Sequence, residues 1–497
     1  MFTKVSVKLR DMASRFISGK NFFTWIVVLF VIQSGWIALS TAYPLVYDET
    51  YHVEAIAAFE DQAMPFVVKQ SPSENSLGDI TRYGSYLYHF IMSFPARVVD
   101  FFHGSQYVKV ELLRWINIGI FVIGIVYLRK LLLKVRFSNA VVNTALLAMV
   151  LVPLTSYLAA TINYDSLFFL FAVLHLFVLI RVYETKCRDF GIFSLYVATG
   201  VAGSLTKYSF LPIFVASFIV VLYFVIRRFQ AREVLEKLQK SAKGYSTWKL
   251  VLLCTMLVLS VGLFSERYLY NIVAYKSPNP DCSKLHSIKD CKQWGPWRRN
   301  YELSQKHTPD PLGVSGFTSF ATRYWYDGIV ASSSLVGNSS NQSVASKLSL
   351  KWLYAITGWC IVLGFIVVFS LKRNTNLMLI LLPIVAYMLS LLLLNYQDFR
   401  TLGVPVGAQA RYLLWIIPIV FALSIYGTSQ LVNSLYGKSR TVKLTLLLAV
   451  LLVSLQFGGL MTYWYRYQPS WSWNNQPVVV KMNMTMSKIA KRIVIDN

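Results

Sequence analysis

Acidic side chains are scarce: 23 Asp and Glu stand against 48 Lys and Arg in 497 residues, and charged residues of both signs make up only 14%. A soluble chain of this length carries about 25% charge and divides into several domains. The shortage excludes an ordinary water-soluble enzyme. Cysteine is rare too, five in all, which excludes a disulfide-built scaffold. No Cys/His spacing reads as a zinc site. Internal repeats, low-complexity tracts and nucleic-acid-binding modules are also lacking. The net charge of +25 therefore implies no nucleic-acid partner, since the basic residues are scattered between apolar runs.

What is present is apolar: 55% of residues are hydrophobic and the mean hydropathy is +0.49. About 20 apolar residues cross a bilayer core. Eleven stretches qualify, near 22–42, 111–128, 140–160, 165–181, 190–204, 209–226, 250–265, 351–371, 377–394, 411–430 and 444–464. The expected fold class is an all-α polytopic membrane protein with about 11 transmembrane helices. The stretch 82–103 holds Arg82, His89, Pro95, Arg97 and Asp100, too polar to face lipid, and reads as an amphipathic surface helix in the first external loop.

Charge asymmetry orients the chain. Lys4, Lys8, Arg10, Arg15 and Lys20 precede the first span, and every second loop after it is basic, as at Arg129–Lys130, Arg227–Arg228 and Lys372–Arg373. Lys and Arg collect in cytoplasmic loops, so the N-terminus is expected inside and the C-terminus outside. The first span lacks a cleavage site and reads as a signal anchor. The expected organisation is a basic cytoplasmic stretch 1–21, a transmembrane domain 22–465 with external loops 43–110 and 266–350, and an external tail 466–497. The run from Gly316 to Tyr326 is a second surface-helix candidate. Cys282 and Cys291, nine apart in the long external loop, are either bridged or free, and Asn338, Asn341 and Asn483 begin sequons on the outer side.

Polar residues that look out of place fall at the outer ends of spans. Tyr47-Asp48-Glu49-Thr50-Tyr51-His52 follows the first span, and Asp48 and His52, four apart, share a helix face. Acids in a first helical turn also complement the dipole. Asn163-Tyr164-Asp165-Ser166 precedes the fourth span, where Asp165 equally fits a helix cap. Lys207 and Arg411 lie on the side that should lack positive charge. Such charges snorkel to the interface or bind an anion, and the Arg fork matches phosphate oxygens. Asp398, Gln409 and Tyr412 sit on the same side. Carboxylates suit a general base and cations suit a phosphate leaving group.

These elements, in this order, resemble the GT-C superfamily of membrane glycosyltransferases. The resemblance is to the protein O-mannosyltransferase and aminoarabinose-lipid A transferase type, and to related bacterial membrane proteins with an Asp-Glu-x-x-His signature. It is carried by Asp48-Glu49 with His52, by Tyr83-Gly-Ser-Tyr-Leu-Tyr-His-Phe, by Thr161 to Leu167 around Asp165, by Gly203-Ser-Leu-Thr-Lys207, and by Gly407-Ala-Gln409-Ala-Arg411-Tyr412. It covers roughly residues 20–430 and leaves the tail unmatched. The family's Lys-Pro pair is missing from the first loop, where Arg82 and Tyr83 stand instead, and Ala410 replaces a Gly.

The resemblance implies inverting transfer of a sugar from a polyprenyl-phosphate donor to an acceptor on the extracytoplasmic face, in a bacterial plasma membrane. The catalytic residues would be Asp48 as base, with Glu49 and Asp165. The donor phosphate would meet Lys207, Arg411 and Arg82. His52, Tyr83, Gln409, Tyr412 and Asp398 would orient the acceptor. No cofactor is expected; a divalent ion on Asp48, His52 and Asp165 is the lesser alternative. The other class considered is a transporter or flippase of a lipid-linked or anionic substrate, which would place charges near mid-membrane and repeat its halves.

Overall fold

The computed structural model describes residues 16–67, 69–307, 314–333, 336–338, 341–343, 374–436, 458–473 and 476–493. Among these, the sole β structure is a short hairpin of Val336–Asn338 and Asn341–Ser343. The main helices are α1 Lys20–Ser40, α2 Glu49–Glu60, α3 Leu87–Phe101, α4 Gln106–Lys134, α5 Asn139–Leu151, α6 Pro153–Ala159, α7 Asp165–Glu184, α8 Phe190–Thr206, α9 Leu211–Arg227, α10 Ala231–Lys243, α11 Thr247–Phe264, α12 Gly295–Lys306, α13 Thr375–Leu402, α14 Ile417–Tyr436, α15 Gly459–Arg466 and α16 Pro477–Ile493.

Six helical segments among the described residues are long and apolar enough to cross a membrane: α1, α4, α7, Tyr208–Arg227, Thr247–Tyr275 and α13. The pair α5 and α6 adds a seventh if counted as one span bent by 71°. Pro153 opens α6 and has no N–H to continue the helical ladder. α8 is apolar but short, and the expected span 411–430 begins as a 3-10 turn before α14. The expected span 351–371, and 444–464 up to residue 457, lie outside the described residues. The fold is that of an all-α polytopic membrane protein.

The core of the bundle is where α4 and α7 meet: Phe121 stacks on Phe169 at 4.4 Å, and a Cβ on Gly124 would sit 2.5 Å from the Phe169 ring. α11 is the opposite case, its large side chains Trp248, Val251, Val258 and Leu259 all turned outward. α3 behaves as a surface helix should. It lays Tyr88, His89, Met92 and Ala96 on the protein and leaves Phe94, Val98 and Phe101 at 48%, 54% and 79% exposure. A helix apolar on both faces fits the boundary between protein, headgroups and acyl chains.

Two further expectations meet the structure here. The run Gly316–Tyr326 is helical and packs Phe320 against Tyr396 and Phe399 of α13. Residues 467–473 and 476–493 of the expected tail pack on the rest of the chain. Ala42 N–H donates to Trp471 O at 2.7 Å, Ser472 Oγ donates to Ser40 O at 2.9 Å, and α16 closes on α15 and α1. Asn483 of α16 is fully enclosed, and its Oδ1 accepts the indole N–H of Trp36 at 2.9 Å and of Trp464 at 3.1 Å. Amphipathic patterning of 477–493 against the end of the first span accounts for this docking.

Candidate functional site

Four chain turns meet where the spans end. Tyr47 and Asp48 join α1 to α2 in left-handed conformation, φ +67° and +63°. That conformation is costly for side-chain-bearing residues and clusters at sites where geometry is imposed. It turns neighbouring carboxylates in different directions: Glu49 into the bundle, and Asp48 to the surface with 57% of its side chain exposed. Asn163 ties this turn to the next by donating Nδ2–H to Tyr47 O at 2.7 Å. Its Oδ1 accepts the Asp165 N–H at 2.7 Å, so Asn163 does the capping and the Asp165 side chain is released from it. The Ala410 N–H is held by Ser332 Oγ at 2.7 Å, and the Tyr412 carbonyl by the Tyr387 hydroxyl at 2.9 Å.

These turns place Asp48, Asp165, Lys207 and Arg411 together. Lys207 Nζ bonds to Asp165 Oδ1, both side chains nearly fully buried. Arg411 Nη2 pairs with Asp48 Oδ2 at 2.8 Å, and its Nε lies 4.0 Å from Asp165 Oδ2. Aromatic faces enclose the cations. The Lys207 ammonium lies 4.2 Å from the centre of the Tyr412 ring and 4.6 Å from that of Tyr164; the Arg411 guanidinium lies 5.3 Å from Tyr412. Tyr83 stands nearby, its ring meeting edge-on at 6.4 Å that of Tyr208, the residue after Lys207.

The cluster is incompletely satisfied. Among the described residues, Arg411 Nε and Nη1, Asp165 Oδ2, Ser166 Oγ and Gln409 Oε1 are buried without a hydrogen-bond partner. Arg411 is 8% exposed. Buried polar atoms without partners cost about 1–3 kcal/mol each, more when charged. Unmet guanidinium donors call for an acceptor, and an unmet carboxylate oxygen calls for a donor. A ligand bearing both an anionic oxygen and a hydroxyl would meet both needs.

His52 takes a place beneath the cluster. Its Nδ1 lies 2.9 Å from Nε2 of His89, and its ring meets Tyr164 edge-on at 4.6 Å. Burial holds both imidazoles well below their usual range, and His89 is pushed down to about 3. Two uncharged rings can share the one hydrogen bond; two imidazoliums cannot. His89 lies in the polar stretch and in the Tyr83–Phe90 run that carries the resemblance, but a lone His on an amphipathic helix gives no sign of its partner.

Two expected site residues are placed elsewhere. Glu49 is fully buried, and both its oxygens are spent. Arg114 Nε and Nη2 donate to it at 2.9 and 2.8 Å, and the Ile162 and Leu45 N–H groups at 3.0 and 2.6 Å. A saturated carboxylate sealed in protein is a structural brace, which replaces the catalytic part expected of it. Arg114 also holds the Ala38 and Thr41 carbonyls at 2.9 and 2.6 Å, the frayed end of α1. Its signal was available in sequence: an Arg inside a span demands a buried partner. Arg82 does not face the cluster. It bonds Glu266 Oε1 at 2.7 Å and the Glu266 carbonyl at 3.1 Å, with its guanidinium 4.4 Å from the Tyr270 ring. An acidic partner at the end of the seventh expected span captures it in place of a phosphate. Asp398 is exposed near the end of α13, close enough for its charge to act on Tyr208.

The described residues gather no three His, Cys, Asp or Glu side chains in a metal-ligating group. His52 is turned to His89 and Asp165 to Lys207, so the alternative triad of Asp48, His52 and Asp165 is not assembled. Cys282 and Cys291 are disulfide-bonded, with Cα atoms 5.8 Å apart. An apolar groove of about 630 Å³ runs between α8 and α11, lined by Leu205, Val201, Trp248, Leu252 and Leu259 among others.

No protein-family model matches the chain, and no curated protein matches it. Among solved structures it is similar to the crystal structure of the Archaeoglobus fulgidus oligosaccharyltransferase tethered with an acceptor peptide containing the NVT sequon. Sequence identity is 12%, the TM-score is 0.48, and the match covers 95% of this chain and 59% of that one. The chain thus spans well under two thirds of that protein. A likeness this loose decides neither activity nor substrate.

Proposed function

We propose that the chain is a membrane glycosyltransferase of GT-C type that moves a sugar from a polyprenyl-phosphate donor to an acceptor hydroxyl on the extracytoplasmic face of a bacterial plasma membrane. The observation that carries the reading is Arg411: buried, beside Lys207, with two donor nitrogens unmet and a carboxylate on either side. The motif resemblance supports the same chemistry. The donor's lipid chain would lie in the apolar groove between α8 and α11, whose Leu205 is two residues before Lys207.

The step follows from charge. The donor phosphate takes up the free Nη1–H and Nε–H of Arg411 and the ammonium of Lys207. In doing so it competes with Asp48 for the guanidinium and frees the Asp48 carboxylate. Asp48 accepts the proton of the acceptor hydroxyl as its oxygen bonds to the anomeric carbon. The bond from that carbon to the phosphate oxygen breaks on the opposite face, so configuration inverts and polyprenyl phosphate leaves with the electron pair. Asp165 fixes Lys207 and keeps Oδ2 for a sugar hydroxyl. Tyr83, Tyr412 and Gln409 line the approach, Asp398 stands at its rim, and His52 supports Tyr164 from below. Arg and Lys offset the leaving charge, and no metal is needed in this scheme.

The test uses full-length protein and Asp48→Asn with a panel of radiolabelled polyprenyl-phosphate sugars, with and without chelator, following release of lipid phosphate. Release by the wild type that is chelator-insensitive and about 10²–10⁴-fold slower in the variant supports the reading. Equal release by both removes Asp48 as base. A donor that crosses vesicles without release makes the chain a transporter.

A further inference from the structure

A second cavity, of about 260 Å³, lies between residues 51–83 and 279–300 and is not used by the donor chemistry. Its floor is Tyr51 and Tyr83; its walls are Asp79 from the first external loop and Asp281, Trp294 and Trp297 from the long one. Tyr51 connects it to the charged cluster. It lines the cavity and stands three residues after Asp48, the N-cap of the same helix, and burial raises its hydroxyl above the ordinary range. Tyr83, also in the lining, meets the ring of Tyr208 edge-on at 6.4 Å, and Tyr208 follows Lys207 in the chain.

The walls are held by contacts that need no ligand. The Cys282–Cys291 disulfide closes the segment just before the two tryptophans. Trp297 lies against Tyr301, centroids 5.0 Å apart and planes 13° from parallel, and its Nε1–H is committed to Asp281 at 3.1 Å. Trp294 packs on Gly78, whose φ is +77° and where any Cβ would come within 2.7 Å of the ring. Asp79 accepts the Thr81 hydroxyl at 2.6 Å and the Arg82 N–H at 2.9 Å, and His286 approaches it at 3.2 Å. Asn75 of the first loop reaches Asp290 of the long loop at 3.2 Å, locking the loops together.

Fixed indoles beside carboxylates and amides suit one class of ligand. The C–H face of a pyranose stacks on an aromatic ring, while its hydroxyls donate to carboxylates and exchange bonds with amides. Two carboxylates in the walls disfavour an anionic ligand. The volume falls short of the ~300–1,000 Å³ of sites for drug-sized molecules, and so fits one sugar unit.

We propose that this pocket is an acceptor subsite for an uncharged saccharide, presenting a hydroxyl past Tyr51 to Asp48. The word acceptor rests on the transfer reading above; the saccharide site does not.

The test is binding of methyl glycosides of glucose, galactose, mannose, rhamnose and N-acetylglucosamine, with glucuronate as the charged counterpart. It uses full-length protein in lipid nanodiscs, free of sugar-headed detergent, and reads ligand-detected NMR titrations. At least one neutral glycoside is expected to bind. Trp297→Ala should weaken it about tenfold, the order of one aromatic contact, and Asn300→Ala, also in the wall, should weaken it several-fold. Thermal unfolding checks that each variant is folded. No binding of any neutral glycoside, preference for glucuronate, or unchanged binding in both wall variants overturns the proposal. Binding without lipid-phosphate release from any donor upholds the saccharide site and sinks the transfer reading instead.

Discussion

Glu49 and Asp48 are neighbours in the chain, and each meets an arginine, yet the two pairs are opposites. Glu49–Arg114 is sealed, with every oxygen of the acid matched and no side-chain exposure on either partner. Asp48–Arg411 is open: the acid is 57% exposed, and the guanidinium keeps two nitrogens unmatched. Proximity of opposite charge is common to both, so it does not separate a brace from a site. Saturation does. A closed set of hydrogen bonds leaves a ligand nothing to offer, whereas an open one is paid in stability and recovered only on binding.

The comparison breaks first at Arg114. Arg114→Ala should leave a buried, uncompensated Glu49 and cost about 3–5 kcal/mol, seen as a large loss of folded yield and a lowered unfolding temperature in size-exclusion and thermal assays. A well-folded Arg114→Ala protein would show that the pair is not a brace. At Arg411 the prediction reverses. Arg411→Ala should fold nearly as well as wild type but lower donor turnover about 10²–10³-fold, as when one preorganised donor to a developing oxyanion is removed. Arg411→Lys should recover only part of this, since an ammonium lacks the fork.

The open side of this contrast is legible in the sequence, and the sealed side is not. Lys207 and Arg411 stood out because positive charge on the outer side of spans is expensive, and the structure does bring them to Asp48 and Asp165. Glu49 is grouped with them because it adjoins Asp48, and Arg82 because the first-loop element it resembles carries positive charge there. Their separation depends on two left-handed residues, Tyr47 and Asp48, which spacing alone does not reveal, and on Glu266, 184 positions from Arg82. The helical spans followed from hydropathy, whereas the docking of 477–493 and the tryptophan-walled pocket arise from contacts between segments far apart in sequence.

Smaller effects sharpen the comparison further. His52 and His89 are kept uncharged in the folded protein, His89 down to about pH 3, while an unfolded His binds its proton below about 6.5. The unfolded state therefore binds more protons below that pH, and stability should fall as pH drops from about 6.5, by about 1.4 kcal/mol per pH unit for each His. Unfolding followed between pH 7 and about 5 in wild type and His89→Phe reads this, with a shallower slope expected in the variant. An equal slope would remove the pair as its source. Arg82→Ala should matter least. Its partner Glu266 is partly exposed, so the loss is about 0–1 kcal/mol, and donor turnover should stay within about twofold. A turnover loss on the scale of Arg411→Ala would bring Arg82 back to the phosphate.

The enclosure of Asn483 carries a consequence for how this chain could be followed during its production. Asn483-Met-Thr is a legitimate acceptor triplet, but its carboxamide is clasped by two indoles inside a helix, beyond the reach of any modifying enzyme that needs an accessible, extended strand. In a host that attaches N-linked glycans, sugar at this position would mark only those molecules whose last helix had not yet closed. A gel shift at one asparagine would then count unfinished copies, a timestamp of assembly written into the final turn of the bundle.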